Sequence, residues 1–114
     1  MRYTRSRTAL LVCALSALPI TLSACATTEL APTAQNVRVI SEEQTRGCKF
    51  IDTVSTNNMN TLSKNPELDA RNRAMNLISQ RGGNAIYIKA TANQISPSGI
   101  GSIFHLTGDA YACP

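Results

Sequence analysis

The 114-residue sequence has no tryptophan, only two phenylalanines and three tyrosines, and a single histidine. So few aromatic rings leave a small domain with a marginal core, and a covalent staple would help it. One histidine with two distant cysteines lacks the close ligand spacing of zinc motifs. A metal is therefore not expected. There is no internal repeat and no low-complexity block. The apolar run from Thr8 to Leu22 falls short of the ~20 residues a spanning helix needs, and Pro19 sits near its end. That excludes a transmembrane span there and leaves a targeting segment.

The N-terminus fits such a segment. Arg2, Arg5 and Arg7 stand without an acidic residue before the apolar stretch of Leu10, Leu11, Val12, Leu15, Leu18, Ile20 and Leu22. Small residues then occupy the cut site, as a processed signal requires. Leu22-Ser23-Ala24-Cys25 resembles a bacterial lipoprotein signal, in which the cysteine thiol is acylated and the preceding peptide removed. The resemblance implies that residues 1–24 are cleaved and that Cys25 carries the lipid, palmitate among its acyl chains. Two or more chains, at ~0.8 kcal/mol per CH₂, anchor a protein stably. Ala26 follows Cys25 where an aspartate would imply inner-membrane retention, so the implied address is the outer membrane. A second cut is open: Ala24-Cys25-Ala26 also satisfies ordinary signal cleavage and would release a soluble periplasmic protein without Cys25. Leucine three residues before the cysteine favours lipidation.

Processing changes the charge balance. The precursor has eleven basic and seven acidic residues, and three of the basic ones leave with the signal. Eight against seven remain, a net of +1 on a 90-residue chain. A nucleic-acid partner is therefore not expected. Cys13 also leaves and Cys25 is used by lipid, so Cys48 and Cys113 remain and should pair in an oxidising compartment.

Along the mature chain, residues 25–36 read as a lipid-anchored flexible tether with Pro32. Eleven residues from Ala26 to Asn36 would reach at most about 36 Å. Residues 37–114 then form one small domain. Val37 to Ile40 is expected as a strand with Val37 and Val39 on one face, Ser41 to Arg46 as a turn, and Cys48 to Val54 as a second strand. Asparagine-rich Thr56 to Lys64 should be loop. Asn65-Pro66-Glu67 starts a helix, with a cap, a proline at the first position and acids at the positive end of the dipole. Ala70, Ala74, Leu77, Ile78 and the stem of Arg81 share its inner side, Leu68 and Met75 widen the stripe, and Gly82-Gly83 ends it. Ala85 to Ala90 is the third strand, Asn93 to Ser102 a mobile connection, and Ile103 to Cys113 the last strand. The expectation is an α+β fold in the order β-β-α-β-β, one helix on one face of a four-stranded sheet, stapled by a disulfide.

Residues 70–88 read ARNRAMNLISQRGGNAIYI, preceded by the Cys48 strand and followed by the terminal GDAYAC. This pattern resembles a family of small bacterial lipoproteins of unknown function, and more distantly the RcsF-like envelope-stress sensors. It covers most of residues 37–113, with Cys48, Ala70, Ala74, Gly83, Asn84, Ala85 and Cys113 as its firmest points. The resemblance implies a compact α+β domain without a cofactor. RcsF-like sensors have a long proline-rich linker and two disulfides, whereas this chain has a short tether and cysteines for one.

Two function classes follow. The first is a non-catalytic interaction or stress-sensing module that is held by its lipid on the outer membrane and binds an envelope protein, a barrel or a signalling protein. The loops at 55–64 and 93–102 are where contacts are expected. The second is an envelope enzyme with Cys48 as thiol nucleophile beside His105 and Asp109, which would need them within hydrogen-bond reach. The first is preferred, and no catalytic residue is assigned. Gly99-x-Gly101 lacks a following helix start to orient a phosphate. Arg71, Arg73, Arg81, Lys64 and Lys89 read as a solvated face, with contact to acidic phosphates as the alternative.

Overall fold

The computed structural model describes residues 27–114, so the expected signal peptide and the expected lipidation site Cys25 lie outside the described residues. The fold is α+β, with strands β1 (Arg38–Val39), β2 (Lys49–Asn57), β3 (Ala85–Ile95) and β4 (Ser102–Ala112) and one helix, α1 (Pro66–Gln80). Short 3-10 turns span Pro32–Asn36 and Glu43–Gly47. The strands lie in the order β1-β3-β4-β2. Both β2 and β3 run antiparallel to β4, and β1 runs parallel to β3. The parallel strands β2 and β3 are thus joined through α1, and β4 fills the gap between them.

Local chemistry sets the helix ends. Asn65 Oδ1 accepts from the Leu68 backbone N–H at 3.1 Å, and Pro66 opens the first turn beside Glu67 and Asp69. At the far end Gly82 takes φ 82°, its N–H reaches Ser79 C=O and the Gly83 N–H reaches Ile78 C=O. These paired bonds satisfy carbonyls that would otherwise be orphaned. Gly83 also needs its missing side chain, because a Cβ there would lie 2.6 Å from Ile78 Cγ2.

Ala70, Ala74 and Ile78 are fully buried and pack on Val54, Ile86, Leu106 and Ala110. Alanines one helical turn apart let α1 approach β2 and β4 closely. Thr56 is buried at that contact, where its hydroxyl donates to Ala70 C=O at 2.8 Å. The disulfide joins Cys48 to Cys113 across 65 residues and ties the entry of β2 to the exit of β4. Asn84 lies beside it: Asn84 Nδ2 donates to Cys113 C=O at 2.9 Å, and the Cys113 N–H donates to Asn84 Oδ1 at 2.7 Å. One side chain therefore extends the β-ladder past the end of β4.

Several expectations need correction. The tether does not run free as far as residue 36. Thr28 N–H donates to Asp69 Oδ1 and Ala31 N–H to Asn76 Oδ1, both at 2.8 Å. In return Asn72 Nδ2 donates to Thr28 C=O and Asn76 Nδ2 to Glu29 C=O, both at 2.9 Å. Ala34 is fully buried, and Leu30 and Ala31 pack against the core. Polar side chains on α1 thus bind the backbone of the incoming chain as a strap, and the folded domain begins near residue 28. Val39 is 49% exposed while Val37 and Ile40 are buried, because β1 is only two residues long and the chain turns at both ends. Leu68 is also exposed and adds nothing to the helix stripe. β2 continues to Asn57, and β3 runs to Ile95 instead of stopping at Ala90. Pairing with β4 extends both, leaving a six-residue connection at 96–101.

Candidate interaction surface

The two loops expected to carry contacts meet at one end of the sheet. Asn58 joins them and is 1% exposed. Its Nδ2 donates to Asn60 C=O at 2.8 Å and to Ser102 C=O at 2.9 Å, and its Oδ1 accepts from Phe104 N–H at 2.9 Å. Ser102 N–H adds a bond to Thr61 C=O at 3.1 Å. A side chain at Gly101 would place its Cβ 1.9 Å from that same Thr61 oxygen, and Gly101 takes φ 76°. Glycine is therefore needed there on two counts. Asn57 Oδ1 and Asn60 Oδ1 accept from the Met59 and Leu62 backbone N–H groups, which fixes the turn.

What these bonds hold outward is apolar. Met59 is 72% exposed, Leu62 58%, Ile95 75% and Ile100 64%. Met59 adopts φ 51°, the left-handed region that a long side chain enters only when its surroundings enforce it. Asn58, Ser63 and Ser96 are buried in these loops, whereas the aliphatic side chains of Met59, Leu62, Ile95 and Ile100 face outward. That is the opposite of an ordinary solvated loop. The arrangement suits contact with an apolar surface.

The residues considered for thiol chemistry are strung along the sheet. Cys48 is in the disulfide next to Lys49, which pairs with Ala112, whereas His105 pairs with Asn57 at the opposite end of β2. Eight residues of strand separate the two levels, roughly 27 Å at ~3.4 Å each. His105 contacts Gln94 at 3.1 Å, and Asp109 accepts from Thr53 Oγ1 at 2.8 Å and pairs with Lys89 at 3.6 Å. Arg71 pairs with Glu67 at 3.2 Å and Arg81 with Asp52 at 2.7 Å, so three of the five basic side chains already face carboxylates. Arg73 lines a shallow open groove with Thr28, Asn76, Leu77 and Gln80, where the strap crosses the helix. Among the described residues no group of three His, Cys, Asp or Glu side chains could hold a metal ion. No described helix is long and apolar enough to cross a membrane.

Sequence reasoning located both loops and missed the residue that organises them. Asn58 lies in an asparagine-rich stretch whose composition signals only a turn. Its burial depends on β4 passing beside it, a contact between residues 44 and 46 positions apart. The model of a family described as a domain of unknown function, DUF4156, matches residues 28–113. No curated protein and no solved structure matches the chain. The family match begins at Thr28, the first residue whose backbone bonds to the helix.

Proposed function

The chain belongs to the DUF4156 family, and from that premise we propose that it is a lipid-anchored envelope protein that acts by binding another envelope component. The observation that carries this reading is the apolar end, where Asn58 locks two loops together and Met59, Leu62, Ile95 and Ile100 stand exposed. Exposed aliphatic side chains set on a rigid, hydrogen-bonded base are the usual form of a contact surface. The anchoring half of the proposal is supported by Leu22-Ser23-Ala24-Cys25 behind a basic and then apolar leader. An outer-membrane location and a stress-sensing role follow only from the resemblance to lipoproteins and RcsF-like sensors. The partner is a protein with an apolar patch, a barrel or a signalling protein.

Affinity capture of the full-length chain from membranes provides the test. Wild type is expected to retain a specific protein that an Ile100→Glu, Met59→Glu variant loses, while both fractionate with membranes. Cys25→Ala should move the protein to the soluble fraction. Equal capture by wild type and the double variant would remove the apolar end from the proposal.

A further inference from the structure

The sheet has two edges, and they differ in protection. On β2 the pairing register is broken by a bulge at Ile51, Lys49 opens the strand, and Asp52 is bridged to Arg81. Bulges and charges of this kind keep an edge from recruiting another strand. On the other side β1 covers β3 only at Ala85 and Ile86, and the last bond is Ile40 N–H to Ile86 C=O. Beyond the bulge at Lys89, the segment Ala90-Thr91-Ala92-Asn93-Gln94-Ile95 is exposed at every residue and carries no charge. It is regular in its pairing with β4 over its whole length.

The direction of its free backbone groups follows from the turn. Ser96 N–H donates to Gly101 C=O, so Ser96 faces β4. Alternation along a strand then turns the N–H and C=O of Ile95, Asn93 and Thr91 outward, away from β4. We infer that this edge pairs antiparallel with the same edge of a second copy, about a two-fold axis at Asn93.

The geometry is self-complementary. With the axis at Asn93, that residue faces its own counterpart, and Thr91 of each copy faces Ile95 of the other. All three positions are outward-facing, so every opposed pair can exchange two backbone hydrogen bonds, about six in all. No like charges are brought opposite each other, and Ile95 covers the Thr91 methyl across the pair. An axis at Ala92 would serve less well, since it opposes groups that already point to β4. Antiparallel pairing within one sheet has its two-fold axis normal to the sheet, so both α1 helices project from the same side. The residue 28–36 straps lie on those helices, so Thr28 of both copies lies on the same side of the sheet. A lipid anchor as proposed above could then serve both copies from one membrane, and the edge pairing does not depend on it. Met59, Leu62 and Ile100 stay outside the pairing and remain available to another partner.

A thiol at the axis tests this in cells producing the full-length chain. In a hydrogen-bonded antiparallel pair the two Cα atoms at the axis lie about 5.5 Å apart, within disulfide span. Asn93→Cys should give a covalent homodimer in roughly tenfold greater yield than Lys89→Cys, whose two copies would lie roughly 25 Å apart. Adding Thr91→Pro to Asn93→Cys removes an outward N–H, leaves the β4 ladder intact, and should abolish the dimer. If that variant does not form its native disulfide, a charge pair replaces it. Thr91→Glu with Ile95→Lys should keep the Asn93→Cys dimer, and Thr91→Lys with Ile95→Lys should lose it. A monomeric Asn93→Cys protein, a cross-link to a different polypeptide, or equal yields from the two charge variants would overturn the pairing. The mass of Cys25 in the same sample separates the two proposals. An unmodified Cys25 with an Asn93 dimer retires the anchor alone, and a lipidated Cys25 with a monomer retires the pairing alone.

Discussion

At Gly101 two independent constraints meet, a left-handed φ and a backbone oxygen where a Cβ would go. Gly99 shares the first, with φ 77°, and has open space around it. Alanine at Gly99 should therefore cost about 1 kcal/mol, the ordinary left-handed penalty. At Gly101 it should cost at least about 3 kcal/mol, because Thr61 must also move. Urea unfolding of the two variants measures the difference, and similar midpoints would contradict the close approach. Asn58→Ala removes a side chain with three hydrogen bonds from a buried site. Leaving the Ser102 carbonyl and the Phe104 N–H without that partner should cost about 2–4 kcal/mol and loosen both loops, visible as faster amide exchange at Phe104. The bonding of Cys48 to Cys113 was legible by counting cysteines once Cys13 and Cys25 are assigned to the expected lipoprotein signal. The role of Asn58 was not, because an asparagine in a polar stretch carries no local sign of what will pass over it.

Among the elements, the helix was the most readable. Asn65, Pro66 and the pair Gly82-Gly83 act within one turn of the chain, and the structure ends α1 where they stand. The strands were readable only where apolar residues alternate. Thr91 to Gln94 has no such pattern and becomes strand because β4 pairs with it throughout. The strap was misread for a similar reason. Its backbone, not its side chains, makes the bonds to α1, so its composition suggested a tether. Asn76 supplies two of those bonds, accepting from Ala31 N–H and donating to Glu29 C=O. Asn76→Ala should lower stability by about 1–2 kcal/mol and speed proteolysis within residues 28–33, with little change at the disulfide end. The disulfide matters more. A loop of 65 residues corresponds to about 4 kcal/mol on the chain-entropy estimate, so Cys48→Ser with Cys113→Ser should lose that much in unfolding free energy.

For the whole molecule, the strap redefines distance. If Cys25 carries lipid, only Ala26 and Thr27 separate the anchor from the Thr28–Asp69 bond, about 10 Å at full extension and not the ~36 Å of a free tether. The domain would then lie close against its membrane with the helix side nearest. Lengthening the segment by a dozen glycine and serine residues between Thr27 and Thr28 should leave stability unchanged and alter partner capture only if the short reach matters. The helix and its ends, the α+β class and the pairing of the last two cysteines could be read from the chain alone, because each is written in neighbouring residues or in a count. Tertiary structure alone decided the strand order, the strap, the Asn58 lock and the uncovered edge of β3. These depend on which backbones run side by side, and partners 40 or more positions away leave no local pattern to read.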